Sequence, residues 1–213
     1  MLYSESVNDA VLELIYSLQE KSYFREFFLV GGTGLALQIG HRKSDDIDLF
    51  TIDDFNQKNL LEKLELDFAF RLDYIETNTI KGVINGIKID LLSHKYPLIH
   101  PVLKIKEMRI ASIQDISAMK LNAISNDGTR VKDYIDVYFL LQKLSIGQML
   151  ENYQAKYELR NALHALKSLN YFNEVDIVEW PYLIKEKGLT WVQVKNRIDQ
   201  ACMLYIKELR NIQ

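Results

Sequence analysis

The sequence predicts an α/β (α+β) fold: a mixed β-sheet flanked by helices over residues 1–110, then a helical domain over residues 111–213. Three observations predict it. Short apolar runs, some alternating with polar residues, recur between Phe27 and Ile110 at strand length and period. An Asn85-Gly86 pair separates two of these runs and marks a tight hairpin, because both central positions of a type I′ turn need positive φ. After Ser112 the period becomes helical, and candidate cap sequences divide one stripe from the next.

In chain order, residues 5–21 read as an amphipathic helix with Val7, Val11, Leu14 and Leu18 on one stripe. Phe27 to Val30 is a short strand that ends at Gly31-Gly32, and Thr33 to Ile39 is a short helix. A polar loop, His41-Arg42-Lys43-Ser44, leads to a second strand from Asp46 to Thr51. Asp54-Phe-Asn-Gln57 resembles a helix cap, and Leu60, Leu61 and Leu64 line the helix that follows, to about Leu66. Phe68 to Glu76 is a strand, followed by the hairpin arms Ile80 to Ile84 and Ile87 to Leu92. Val102 to Ile110 holds a further short strand, whose Lys104, Lys106 and Arg109 read as the basic residues of an exposed edge, with nucleic-acid contact as the other reading. In the second half Ser112-Ile-Gln-Asp115 is a cap, and Ile113, Ile116, Lys120 and Ala123 share a stripe. Asn126-Asp127-Gly128 ends that helix, and Arg130 to Leu144 forms the next. Ser145-Ile-Gly-Gln148 and Thr190-Trp-Val-Gln193 both match the capping box.

Bulk composition narrows the function classes. No apolar run approaches the roughly 18 residues of a membrane-spanning helix, and residues 1–25 lack the basic start and apolar middle of a signal peptide. Cys202 is the single cysteine, so an intrachain disulfide is excluded and a cytoplasmic location is expected. Net charge is −3, with 13 basic and 17 acidic side chains in residues 1–110 against 13 and 12 in residues 111–213. That balance carries no global basic signal for nucleic acid. The four histidines, His41, His94, His100 and His164, form no metal-ligand spacing, and only His41 lies near the acids.

Chemistry concentrates between Phe28 and Phe50. Asp46 and Asp48 are two residues apart, so a strand projects both from one face while Ile47 and Leu49 turn to the core. Two carboxylates ~4 Å apart repel by about 4 kcal/mol at an effective dielectric near 20. A divalent cation relieves that repulsion, and a phosphate bound at the neighbouring glycine turn supplies further ligands. Gly31-Gly32-Thr33 offers backbone N–H groups and a hydroxyl for that phosphate, although no Walker lysine follows. Asp90 is a third acid on the face opposite Ile87, Ile89 and Leu91, and three carboxylates in one place suit two hard cations that clamp attacking and leaving oxygens.

These residues carry a resemblance. Gly31-Gly32-Thr33, Asp46-Ile-Asp48-Leu and Asp90 within Ile-Lys-Ile-Asp-Leu-Leu resemble the polymerase-β-type nucleotidyltransferase superfamily. Gly-Gly-Thr-Gly-Leu-Ala-Leu with Arg42-x-Ser44-x-Asp46-Ile-Asp48-Leu-Phe resembles its AbiEii/AbiGii toxin family. Asp115-Ile-Ser-Ala-Met-Lys120 and Arg130-Val-Lys-Asp133-Tyr-Ile-Asp136 continue that resemblance, which covers roughly residues 27–144. It implies a nucleotidyltransferase core with Mg²⁺ in a two-metal site on Asp46, Asp48 and Asp90. Asp90 completes that site or accepts the proton of the attacking hydroxyl. The NTP is expected at Gly31, Gly32, Thr33, Arg42, Ser44, Lys120 and Arg130. Lys120 meets the triphosphate, and Asp133 holds Lys120 or Arg130; Asp136 is expected to be an N-terminal-turn acid favoured by the helix dipole. The family further implies an RNA acceptor such as a tRNA 3′ end, and a separately encoded antitoxin. A small-molecule (antibiotic-modifying) nucleotidyltransferase and a non-catalytic nucleotide-binding module are the competing readings.

Overall fold

In the computed structural model, which describes residues 2–211, the Asn85-Gly86 turn has φ of 51° and 82°, both positive as a type I′ turn requires. The turn joins β4 (Thr79–Ile84) to β5 (Ile87–Ser93) and sets an antiparallel register in which Ile84 faces Ile87 and Lys81 faces Asp90. Around this hairpin the first unit of the chain, which ends at Ser112, builds one mixed sheet. Its remaining strands are β1 (Phe28–Leu29), β2 (Ile47–Thr51), β3 (Arg71–Glu76), β6 (Leu103–Ile105) and β7 (Met108–Ile110). Among the described residues the order across the sheet is β3-β4-β5-β2-β1-β7-β6. The β2–β5 and β1–β7 pairs are parallel and the other neighbours antiparallel.

Alternation decides which face is buried. Ile47 and Leu49 of β2, Ile89 and Leu91 of β5, and Ile80 and Ile84 of β4 enter one apolar cluster. Helix α1 (Asp9–Glu20) contributes to it through Val11, Ile15 and Leu18, and α3 (Gln57–Phe68) through Leu60 and Leu64. Each fully buried side chain of this size contributes about 1.5–3 kcal/mol. Asn8 caps α1 and Asn56 caps α3, each accepting a backbone N–H three residues on. The second cap lies two residues beyond the expected Asp54; instead Asp54 pairs with Lys95 and accepts from the Asn78 amide.

The basic edge proves to be two things. Lys104 lies exposed on the edge strand β6, whereas Arg109 of β7 turns its guanidinium onto the backbone carbonyls of Gln19, Phe24 and Phe27, each at 3.0 Å. Arg109 is a stitch between segments of the first unit.

The second unit begins at Ile113 and is helical. It comprises α4 (Ile113–Asn126), α5 (Val131–Leu140), α6 (Ile146–Tyr157), α7 (Leu163–Ser168) and α8 (Trp191–Asn211). The predicted capping boxes form at Ser145–Gln148 and at Thr190–Gln193. Helix α5 is buried almost all round, from Val131 and then from Asp133 to Leu140, with Tyr134 edge-on to Trp191 at 5.7 Å. Cys202 is a buried filler on α8, and burial pushes its thiol up to about 11. No described helix is long and apolar enough to cross a membrane.

Candidate nucleotide site

Parallel pairing of β2 with β5 sets Asp48 directly opposite Asp90, on the sheet face away from the apolar cluster. The match arises because Ile47 pairs with Ile89 and Leu49 with Leu91, so burying the isoleucine and leucine face aligns the acids on the other. Both carboxylates are half-buried. Lys81, across β4, reaches Asp90 with Nζ 2.6 Å from Oδ2.

Asp48 also meets the glycine turn. β1 runs into α2 (Gly31–Ile39), whose N-cap Val30 offers the first-turn N–H groups no side-chain acceptor. Gly31 has φ of 65°, and a Cβ built there would lie 2.0 Å from Asp48 Oδ2. A Cβ on Gly32 would lie 2.2 Å from the guanidinium of Arg42 and 3.2 Å from the Ser44 hydroxyl. The glycine pair is thus packed under a carboxylate on one side and an arginine on the other, and the turn exists because neither position carries a side chain. Gly31→Ala is expected to force Asp48 off the turn. It adds about 1–2 kcal/mol of left-handed backbone strain, readable as a lowered unfolding midpoint together with lost transfer activity.

Thr33 belongs to α2, and Asp46 immediately precedes β2. The Thr33 side chain is buried, and its hydroxyl lies within hydrogen-bond distance of the Ser44 hydroxyl, at 2.9 Å, and of the Asp46 carbonyl. It ties the polar loop to α2. Asp46 precedes the first residue of β2 and is exposed. Among the described residues no three His, Cys, Asp or Glu side chains gather as a metal group. Asp48 and Asp90, with Asp46 at the edge of β2, fit a hard cation, since Mg²⁺ is ordinarily held by one or two carboxylates with substrate phosphates and water completing its shell.

The second unit holds the other predicted residues. Lys120 of α4 is buried, with Nζ 2.6 Å from Asp133 Oδ1 and 2.6 Å from Asp136 Oδ2 of α5. Arg130, exposed at the N-cap of α5, approaches Asp133 Oδ2 at 3.8 Å; that oxygen is buried and has no hydrogen-bond partner among the described residues. Asp136 is fully buried and clamps Lys120, which corrects its reading as a terminal-turn acid favoured by the helix dipole. Burial first, then the charges of Asp133 and Asp127, push the Tyr134 phenol up to about 12. A second buried pair joins Asp115 of α4 to Lys156 of α6 at 2.9 Å, so Asp115 is an ion-pair partner as well as a first-turn acid.

Lys81 and Lys156 escaped the sequence reading, though signals for both existed. The Asn85-Gly86 turn, once placed, pairs residue 81 with residue 90 by counting outward. Lys156 sits on the stripe of Met149, Leu150 and Tyr153, as Lys120 does on its own stripe.

Fold and residues together define a nucleotidyltransferase. The model of the AbiEii nucleotidyl transferase toxin family, of type IV toxin–antitoxin systems, matches residues 13–90 and 64–181, and the chain belongs to that family. An uncharacterized protein of Aquifex aeolicus (strain VF5), aq_aa25, is 32% identical over 158 residues, spanning 70% of this chain and 75% of its own. The fold is also that of two solved Helicobacter pylori proteins. One is described as a candidate nucleotidyltransferase (TM-score 0.54, 16% identity, covering 97% of this chain and 99% of that one). The other, JHP933, has a TM-score of 0.51 at 16% identity and covers 97% and 96% of the two chains.

Proposed function

We propose that the protein transfers the nucleotidyl group of an NTP to a hydroxyl of an RNA acceptor, and that it acts in the cytoplasm as the toxin of a toxin–antitoxin pair. The observation that carries the chemistry is the in-register pair Asp48–Asp90 beside the glycine turn that opens α2. An anion at that helix N-terminus is favoured by the dipole and the first-turn N–H groups. The acceptor oxygen attacks the α-phosphorus as the bond to the β-bridging oxygen breaks, and pyrophosphate leaves. Asp90 would complete the cation's shell or accept the hydroxyl proton, Asp48 would hold the cation, and the Gly31 and Gly32 backbone with Arg42 would orient the phosphates. When bound, Mg²⁺ held by Asp46, Asp48 and Asp90 would supply charge neutralisation for the phosphoryl oxygens. In the second unit Asp133 and Asp136 hold Lys120, and Arg130 approaches Asp133; Lys120 and Arg130 are the cations that the family resemblance assigns to the triphosphate.

The toxin role and the antitoxin partner follow from family membership. RNA, and within it a tRNA 3′ end, is the acceptor that the family resemblance implies. Incubation with α-labelled NTPs, Mg²⁺ and total RNA tests the reading. Label is expected in an RNA band and is expected to vanish with EDTA. Label that appears only in small-molecule products assigns the antibiotic-modifying reading instead. NTP binding without metal-dependent turnover assigns a binding module.

A further inference from the structure

We propose that Lys81 is a built-in counter-ion of this site: its ammonium occupies, beside Asp90, the place that the divalent cation takes when nucleotide binds, and thereby sets how tightly the protein holds that cation. The proposal rests on the metal reading above and adds a residue to it. Four observations support it. Lys81 Nζ lies 2.6 Å from Asp90 Oδ2, so one of the two oxygens a cation would use is already engaged by a positive charge. The contact is built in by the hairpin, whose Asn85-Gly86 turn pairs Lys81 with Asp90 directly across β4 and β5. Asp48 stands beside Asp90 in register, so without a cation the two carboxylates need a nearby positive charge, and Lys81 provides one.

The fourth observation separates this lysine from the others. The Lys81 and Asp90 side chains are 46% and 35% exposed, whereas Lys120 at 8% is walled in by Asp133 and Asp136. An exposed pair contributes little to folding, and a lysine ammonium on its flexible stem can leave one oxygen for another partner at small cost. Lys81 is therefore displaceable. A cation arriving at Asp90 must move it aside, and the freed ammonium then lies next to the phosphates that arrive with the nucleotide.

The test is Mn²⁺ binding to the full chain without nucleotide, followed by electron paramagnetic resonance of the free ion. Lys81→Met is expected to lower the Mn²⁺ dissociation constant about tenfold, the effect of removing a unit charge about 5 Å from a divalent ion at the dielectric of water. Lys81→Arg, which keeps the charge, is expected to bind Mn²⁺ as the wild type does. Asp48→Asn serves as the control for the site itself. Binding that depends on Asp48 but is equal or weaker in Lys81→Met overturns this proposal alone. Binding that is absent, or indifferent to Asp48→Asn in every variant, overturns the metal reading and this proposal with it.

Discussion

Replacing Lys120 by methionine is expected to cost the protein about 3–5 kcal/mol, because it leaves two buried carboxylates without their cation. Asp133 and Asp136 are 1% and 0% exposed, and each places an oxygen 2.6 Å from the Lys120 ammonium. Urea unfolding reads the loss directly. The triple variant Lys120→Met/Asp133→Asn/Asp136→Asn removes the stranded charges together and is expected to recover most of the lost stability. A Lys120→Met protein as stable as the wild type would contradict the clamp. The comparison also separates two roles of one residue. If the triple variant folds like the wild type and still transfers no nucleotide, the Lys120–Asp133–Asp136 cluster serves the reaction as well as the fold.

Asp48→Asn is expected to lower kcat/KM by about 10²–10³-fold, the scale on which one positioned electrostatic group acts at a phosphoryl or acyl centre. The unfolding midpoint is expected to stay near that of the wild type, because the side chain is half-buried and asparagine keeps its shape. Asp46→Asn is expected to be milder, since Asp46 is exposed and lies outside β2. Equal losses at the two positions, measured with one NTP and one acceptor RNA, would assign Asp46 an equal part in holding the cation.

Much of the first unit was legible in the sequence because its signals are short-range. Asn85-Gly86 needs two positive φ values, and few other pairs adopt them at so little cost. The Ile47–Leu49 and Ile87–Leu91 alternations assign a buried face without reference to any partner strand. Ser145 with Gln148 and Thr190 with Gln193 close their caps within four residues. Less legible were residues whose role lies with a distant partner. Lys156 meets Asp115 from 41 positions away, and Asp136 reads as an ordinary terminal acid until Lys120 is seen against it. Strand ends were less legible too. Whether β2 starts at Asp46 or Ile47 is decided by pairing.

By itself the sequence determined the glycine turn, the hairpin, the alternation that frees Asp48 and Asp90 from the core, and the family resemblance they carry. Each depends on residues close together in the chain, where turn chemistry and side-chain period act before any tertiary contact forms. Tertiary structure alone decided that β2 and β5 lie parallel with Asp48 opposite Asp90, that Lys81 stands at Asp90 and that Thr33 serves the loop. It also decided that two buried carboxylates hold Lys120. The reason is that strand register and buried-charge pairing are settled by which apolar faces must meet, and that choice is made by the sheet and the helical unit as wholes.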